Sequence, residues 1–361
     1  MFTNYLVQYG LDRSWLLAVL AFLMVSVFIE ITVPIARKSG LVDRPNGRKQ
    51  HEGVVPLLGG IAIFCVVLLM AVLFLKLTVD YIFIFLSIAL LVITGSLDDR
   101  LDLDFKIRLG IQFLCASILI VGSDISIVTL GNLVGIGELQ LGWSAIPFTI
   151  VLISALINAF NMADGMDGLA GGLSLVAFVM IFSQISGFVS TEIWSLLVVI
   201  QGALAAYLVH NLGFMPKRLS KVFLGDAGSM MLGLTVSVFL IQYSQPWPQY
   251  FKPITALWFV ALPFVDMVAT FLRRILNGKS PFFADRTHIH HILLRLGLRP
   301  KVALLVLVGS AVCLANFGVW LERLFDETIS FILFCCFTFT YTLLLLRSWR
   351  VTRFIRRFVR S

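Results

Sequence analysis

Long apolar runs recur along almost the whole of this 361-residue chain, near 15–35, 57–75, 82–97, 107–122, 143–157, 169–185, 193–209, 227–243, 255–272, 302–320 and 328–346. A helix needs about 20 mostly apolar residues to cross the hydrocarbon core of a bilayer. These runs therefore read as eleven transmembrane helices, and the expected fold is all-α, a polytopic integral membrane protein. Composition agrees, since 13% of the residues are charged where a soluble domain carries about 25%. Residues 1–346 read as a single transmembrane domain and 347–361 as a short tail.

The formal charge is +8, which in a soluble protein would raise nucleic acid as a partner. Its distribution argues otherwise. If the runs cross in alternation, one side receives 24 of the 28 lysines and arginines, and the other only Arg13, Lys76, Lys252 and Arg323. The positive-inside rule makes the basic side cytoplasmic. The N-terminus is then outside, the C-terminus inside, and no nucleic acid is implied. No basic region with a small-residue cleavage site opens the chain, so the first run reads as a retained span. Cys65, Cys115, Cys313, Cys335 and Cys336 all fall in apolar runs without metal-like spacing. They read as core or lipid-facing residues, not as disulfides or ligands. Residues 123–142 hold Gly131, Gly135 and Gly137 among β-branched residues and read as a small β-hairpin on the outer face.

Polar groups at membrane depth are costly and persist mainly where they face a cavity or do chemistry. In NAFNMADGMDGL, residues 158–169, the side chains Asn158, Asn161, Asp164 and Asp167 recur every three residues. On a helical turn they share a side, while Gly165 and Gly168 permit a tight turn. The stretch is either a polar interhelical turn or one wall of a charged site. After the third run, Asp98, Asp99, Asp102 and Asp104 put four carboxylates in seven residues. Continued as helix, Asp98 and Asp102 share a face, and so dense a cluster suggests a counter-cation. Mg²⁺ or Mn²⁺ suits an oxygen-rich site; the competing reading is a solvated helix end neutralised by Arg100, Lys106 and Arg108. Asp226, between Gly225 and Gly228, can cap the helix that follows or ligate a metal whose anionic partner rests on free amides. Phe223 offers a flat face to a ring.

Asp266 interrupts the ninth run three residues after Pro263, where a kinked helix would turn it inward. In the next loop His288, His290 and His291 stand beside Asp285 and Arg286. With no cysteine near, zinc is the weaker reading, and side chains that hold pyrophosphate oxygens suit a hard-cation face better. Arg48, Lys49 and His51, in a loop rich in proline and glycine, are natural phosphate contacts, although positive-inside bias would also put them there. Glu30, near the cytoplasmic end of the first run, is a snorkelling or helix-paired carboxylate or a functional one. The tail interleaves arginines with Trp349, Phe354, Ile355 and Phe358, the pattern of a basic amphipathic helix on anionic membrane lipid.

Carboxylates suited to Mg²⁺ with cationic side chains around them are the parts of phosphoryl chemistry. A site at the bilayer surface implies a substrate that is itself partly lipid. An ion-coupled transporter or lipid flippase is the alternative from another class. Such proteins carry internal repeats and midplane charges, and here no repeat is evident and the charges crowd one surface.

The segments LDDRLD (97–102), NAFNMADGMDGL (158–169), VFLGDAGS (222–229), PFVDM (263–267) and SPFFADRTHIHH (280–291), with PNGRKQHEGVVPLLGG (45–60), resemble the polyprenyl-phosphate N-acetylhexosamine-1-phosphate transferase family. The likeness keeps the family's order over almost the whole chain and is strongest to the bacterial branch that uses UDP-GlcNAc. The peptidoglycan branch, which transfers phospho-MurNAc-pentapeptide, has three adjacent histidines and a lysine closing the first aspartate motif. This chain has His-Ile-His-His and Asp102 there, so that branch, like another UDP-N-acetylhexosamine donor, is the runner-up.

The resemblance implies transfer of GlcNAc-1-phosphate from UDP-GlcNAc to undecaprenyl phosphate, with release of UMP, as the first step of a cell-surface polysaccharide. It further implies a Mg²⁺-dependent homodimer of the bacterial inner membrane, with Mn²⁺ as a substitute. It sets Asp98 and Asp99 beside the metal and lipid phosphate, makes Asp226 a metal ligand with Asn161 as the second, and gives the nucleotide to Asp164 and Asp167 with Phe223 stacked on uracil. His288, His290, His291 and Arg286 would hold the pyrophosphate or sugar. Asp102, His290 and His291 count with the catalytic residues, and Lys49, His51, Asn158 and Asp266 complete the expected substrate-binding set.

Overall fold

A computed structural model describes residues 11–43, 53–76, 78–214, 218–280 and 288–347. Lys49, His51, Arg286 and the tail 348–361 lie outside the described residues. Every apolar run is helical: α1 (Leu11–Ser39), α2 (Gly59–Phe74), α3 (Asp80–Leu101), α4 (Phe105–Ser123), α5 (Ala145–Ala163), α6 (Leu169–Ile185), α7 (Thr191–Asn211), α8 (Gly225–Ser244), α9 (Pro253–Phe259), α10 (Ala261–Leu276), α11 (Ile289–Arg295), α12 (Pro300–Leu324) and α13 (Glu327–Leu346). Among the described residues eight helices are long and apolar enough to cross a membrane. The shorter α2 and α6 are also apolar, and α9 and α10 form a pair bent by 84°. The chain is an all-α, multi-pass membrane protein.

The bend differs from the expected kink at Pro263. The break falls at Val260, and α10 begins at Ala261. Pro263 thus sits in a first turn, where the N–H it lacks has no helical partner to lose.

The connections gather at two ends of the bundle. At one, the Gln245 side chain accepts the N–H groups of Val128 and Thr129 at 2.9 and 3.1 Å, and Asn132 N–H donates to Glu327 at 3.1 Å. Segment 123–142 folds back on itself there. Leu130 N–H donates to Leu139 O at 3.0 Å, and a lone bridge joins Thr129 and Gln140. Isolated bonds, not paired strands, hold this turn. The described strands lie at the other end, where β1 (Val42–Asp43) pairs antiparallel with β2 (Val55–Pro56). Phe223 extends that patch, donating its N–H to Pro56 O and accepting from Gly59 N–H, both at 2.9 Å.

The core centres on α8, which is buried almost throughout and packs against α2, α3, α5 and α6. Glycine allows the close approach. A Cβ on Gly60 would lie 2.2 Å from the Gly228 Cα, and one on Gly95 2.3 Å from the Ala227 Cα. The backbones of α2 and α3 therefore press directly on the first turn of α8, the turn that carries Asp226. The five cysteines are free, as their scattered positions in apolar helices require.

Candidate active site

The acidic cluster separates into distinct tasks. Helix α3 stops at Leu101, with Asp102 exposed in the left-handed region at φ 51°. The shared helical face expected for Asp98 and Asp102 therefore does not form. Asp98 is buried, accepts Leu103 N–H at 2.8 Å, and pairs with Arg108 at 2.6 Å. Asp104 caps α4 by accepting Lys106 N–H at 2.8 Å. Asp99 reaches across to α8, where its Oδ1 accepts Asp226 N–H at 3.0 Å and its Oδ2 accepts Ala227 N–H at 3.5 Å. A carboxylate at the positive end of a helix caps it well. Asp99 thus fills the capping role that Asp226 could have taken.

Released from capping, Asp226 turns to its neighbours. Its Oδ1 accepts from Asn161 Nδ2 at 2.7 Å, and its Oδ2 lies 3.7 Å from Arg108 Nη1. Asn161 donates also to the Ser229 hydroxyl at 3.0 Å. Asn158, one turn earlier, donates to Gln112 Oε1 at 2.7 Å and to Ser154 O at 2.8 Å, which commits it to helix packing. The three-residue periodicity ends with α5, because Asp164 is already its C-cap. The turn that follows brings Asp167 into an ion pair with Lys221, whose ammonium lies 5.3 Å from the centroid of the Phe223 ring. Burial, and then the charges of Asp226, Asp99 and Asp167, push the Asp164 carboxyl well above the usual carboxylate range.

The histidines form the remaining wall. Asp266 of α10 accepts three bonds: from His288 Nδ1 at 2.7 Å, Ile289 N–H at 3.1 Å and the Tyr341 hydroxyl at 2.7 Å. Asp266, expected as a substrate contact, fixes the histidine loop to α10 and α13. The His290 ring lies parallel to that of His288 at 5.9 Å, and His291 lies 4.2 Å from His290. His290 is buried, its Nε2 has no hydrogen-bond partner among the described residues, and a Cβ on Gly165 would come within 2.3 Å of that atom. The histidine wall and the 164–168 turn are therefore in direct contact. Burial, reinforced by His291 and His288, lowers the His290 pKa to about 3, so its imidazole is neutral in the substrate-free protein.

Residues 81–244 match the family model for glycosyl transferase family 4. The undecaprenyl-phosphate alpha-N-acetylglucosaminyl 1-phosphate transferase of Escherichia coli (strain K12) is 39% identical over 345 residues, 93% of this chain and 92% of that protein. Proteins of the same name in Yersinia pestis and Pasteurella multocida (strain Pm70) are 39% and 38% identical, over 94% and 90% of this chain and 93% and 91% of their own. The chain belongs to glycosyl transferase family 4.

In this family member the matched stretch holds Asp98, Asp99, Asn161, Asp164, Asp167, Phe223 and Asp226, while Asp266 and the histidines lie beyond it. Among the described residues no group of three His, Cys, Asp or Glu side chains forms a ready metal cage. Mg²⁺ needs none, since it usually takes one or two carboxylates and completes its shell with water and substrate phosphate. The donors here fit a hard cation. Carboxylates outnumber Arg108 and Lys221 around the turn, burial and then the neighbouring anions raise Asp164, and rotation of the Asn161 amide would present an oxygen beside Asp226.

Sequence reasoning missed several contributors. Asn211 accepts Gly168 N–H at 2.6 Å and donates to Val222 O at 2.9 Å, stitching the aspartate turn to the Phe223 strip. Gln112, Lys221 and Tyr341 are equally structural to the site. A polar residue at the end of an apolar run was the available signal for Asn211. Nothing local distinguishes Tyr341 from an interfacial tyrosine.

Proposed function

We propose that this chain transfers GlcNAc-1-phosphate from UDP-GlcNAc to undecaprenyl phosphate, giving undecaprenyl-pyrophosphate-GlcNAc and UMP. The observation that carries the reading is the convergence of Asp98–Arg108, Asp226–Asn161 and Asp167–Lys221–Phe223 at one end of a membrane bundle. The names of the relatives, at about 39% identity over most of the chain, support it. The 24 basic residues on one side support a cytoplasmic site in a bacterial inner membrane. A homodimer, and a tail lying on anionic lipid, belong to the same reading.

In the reaction an oxygen of undecaprenyl phosphate attacks the β-phosphorus of UDP-GlcNAc. A new P–O bond forms, and the pyrophosphate P–O bond breaks with its electron pair leaving on UMP. A phosphate monoester has its second pKa near about 6 and so is largely ionised without a general base. Asp98 is held by Leu103 N–H and Arg108, and Asp99 by two backbone N–H groups. Carboxylates committed in this way favour direct displacement over an aspartyl-phosphate intermediate. Phe223 presents its ring to uracil, with Lys221 beside it near the nucleotide phosphates. His288, fixed by Asp266, and the neutral His290 orient pyrophosphate or sugar by hydrogen bonding. Asp226 with Asn161 would hold Mg²⁺, which supplies charge neutralisation between two anionic substrates.

Purified protein given both substrates and Mg²⁺ should release UMP, and EDTA or Asp226→Ala should abolish that release. Release of UDP would mean transfer of the sugar without its phosphate and would overturn the mechanism. Phospho-MurNAc-pentapeptide and other UDP-N-acetylhexosamines in place of UDP-GlcNAc test the choice of donor.

A further inference from the structure

Glu30 projects from α1, which contributes no side chain to the site described above. It nevertheless holds Ser220, the residue before Lys221, from two directions. Its Oε1 accepts Ser220 N–H at 2.6 Å, and its Oε2 accepts the Ser220 hydroxyl at 2.8 Å. The third polar group of Ser220, its carbonyl, accepts from His210 Nδ1 at 2.8 Å, and that imidazole lies 3.7 Å from Glu30. His210 is itself buried, with no partner for Nε2 among the described residues, so its ring is fixed by packing and by this one bond. Each polar group of Ser220 is therefore assigned.

Val222 and Phe223, two and three residues on, are anchored as well. Val222 O accepts from Asn211, Phe223 N–H donates to Pro56 O, and Phe223 O accepts from Gly59 N–H. Between these anchors stands Lys221, paired with Asp167 and lying over the Phe223 ring. Hydrogen bonds to a charged acceptor are stronger than neutral ones, and Glu30 is the charged member at the start of the strip.

We propose that Glu30, with His210, is a positioning residue for the nucleotide end of the donor site, setting the register of Lys221 and Phe223 through Ser220. The inference rests on the phosphosugar-transfer reading and assigns α1 a part in it. It makes donor recognition, and not the chemical step, depend on a carboxylate in the first membrane helix.

The test is steady-state kinetics on the full chain, with UMP as product inhibitor and thermal stability followed in parallel. Glu30→Ala should raise KM for UDP-GlcNAc about 10-fold and weaken UMP inhibition to the same extent. Its kcat and its KM for undecaprenyl phosphate should stay within about 2-fold, since no group touching the reacting atoms has changed. Glu30→Gln keeps an acceptor for Ser220 N–H and should recover most of the loss. Ser220→Ala removes only the hydroxyl bond and should raise the donor KM by about 3-fold. It serves in place of Glu30→Ala if that variant does not fold. A folded variant with unchanged donor KM overturns the proposal. So does a joint shift of both KM values and kcat with lowered thermal stability, which would mark a structural role only. Wild-type protein that releases no UMP overturns the transfer reading, and this inference with it. Active wild type with unshifted variants overturns the inference alone.

Discussion

Single side chains in this site carry separable duties, and substitutions should separate them. Asp99 accepts two backbone N–H groups at the start of α8, so Asp99→Asn, which keeps an acceptor, should be nearly neutral in stability. Asp99→Ala should cost about 1 kcal/mol, the usual loss for a helix cap, read as a lower melting temperature in detergent. Equal effects of the two would refute the capping role. Asp98 is buried against Arg108, and Asp98→Ala leaves that guanidinium beside Asp226 without its main partner. We expect UMP release to fall by at least about 100-fold, with KM values changed far less. His290 adds one component to the pH dependence of the substrate-free protein, opposite in sign to that of the raised Asp164 carboxyl. Its folded pKa of about 3 lies below the ordinary 6.5, so its contribution to stability is complete above pH 6.5 and is lost as pH falls toward 3. Between about pH 6 and pH 5 the loss approaches about 1.4 kcal/mol per unit. His290→Gln, neutral throughout, should make the melting temperature fall less steeply with acidification over that range than in wild type, and an unchanged slope would refute the buried neutral histidine.

Helices meet in this molecule with almost no tolerance around the first turn of α8. A Cβ on Gly95 would lie 2.3 Å from the Ala227 Cα, whereas one on Gly309 of α12 meets nothing within 4 Å. Gly95→Ala should therefore displace Asp226 and cost about 1–3 kcal/mol, as overpacking does, with activity falling in step. Gly309→Ala should be neutral or gain up to about 1 kcal/mol from helix propensity. Thermal unfolding of the pair checks both, and a tolerated Gly95→Ala would contradict the packing described. At this scale the sequence was informative wherever the bilayer set the rule. Every apolar run became helix, because a buried backbone must satisfy its own hydrogen bonds. The break at Val260 was less legible. Proline marked the neighbourhood, but its tolerance in a first turn moved the break three residues upstream.

The molecule as a whole sorts its connecting segments into two ends, and their sidedness can be measured. On a cysteine-free background, cysteine at the exposed Phe214 or Lys279 should resist a membrane-impermeant maleimide added to intact cells. Cysteine at Trp143 or Trp247, 92% and 96% exposed, should react. The opposite pattern would invert the topology. Most residues of the site could be picked out from one sequence because a carboxylate or amide among apolar helices is conspicuous. Their partnerships could not. Lys221 meets Asp167 across 54 positions and Tyr341 meets Asp266 across 75, and no local pattern encodes such distances. The second contact also bears on time. A chain growing from its N-terminus has made α10 and the histidine loop well before α13 emerges. Until Tyr341 is inserted, Asp266 lacks one of its three donors and the histidine wall one of its anchors. Insertion of α13 is thus coupled to completion of the site, and an unfinished chain is poorly equipped to spend the carrier lipid.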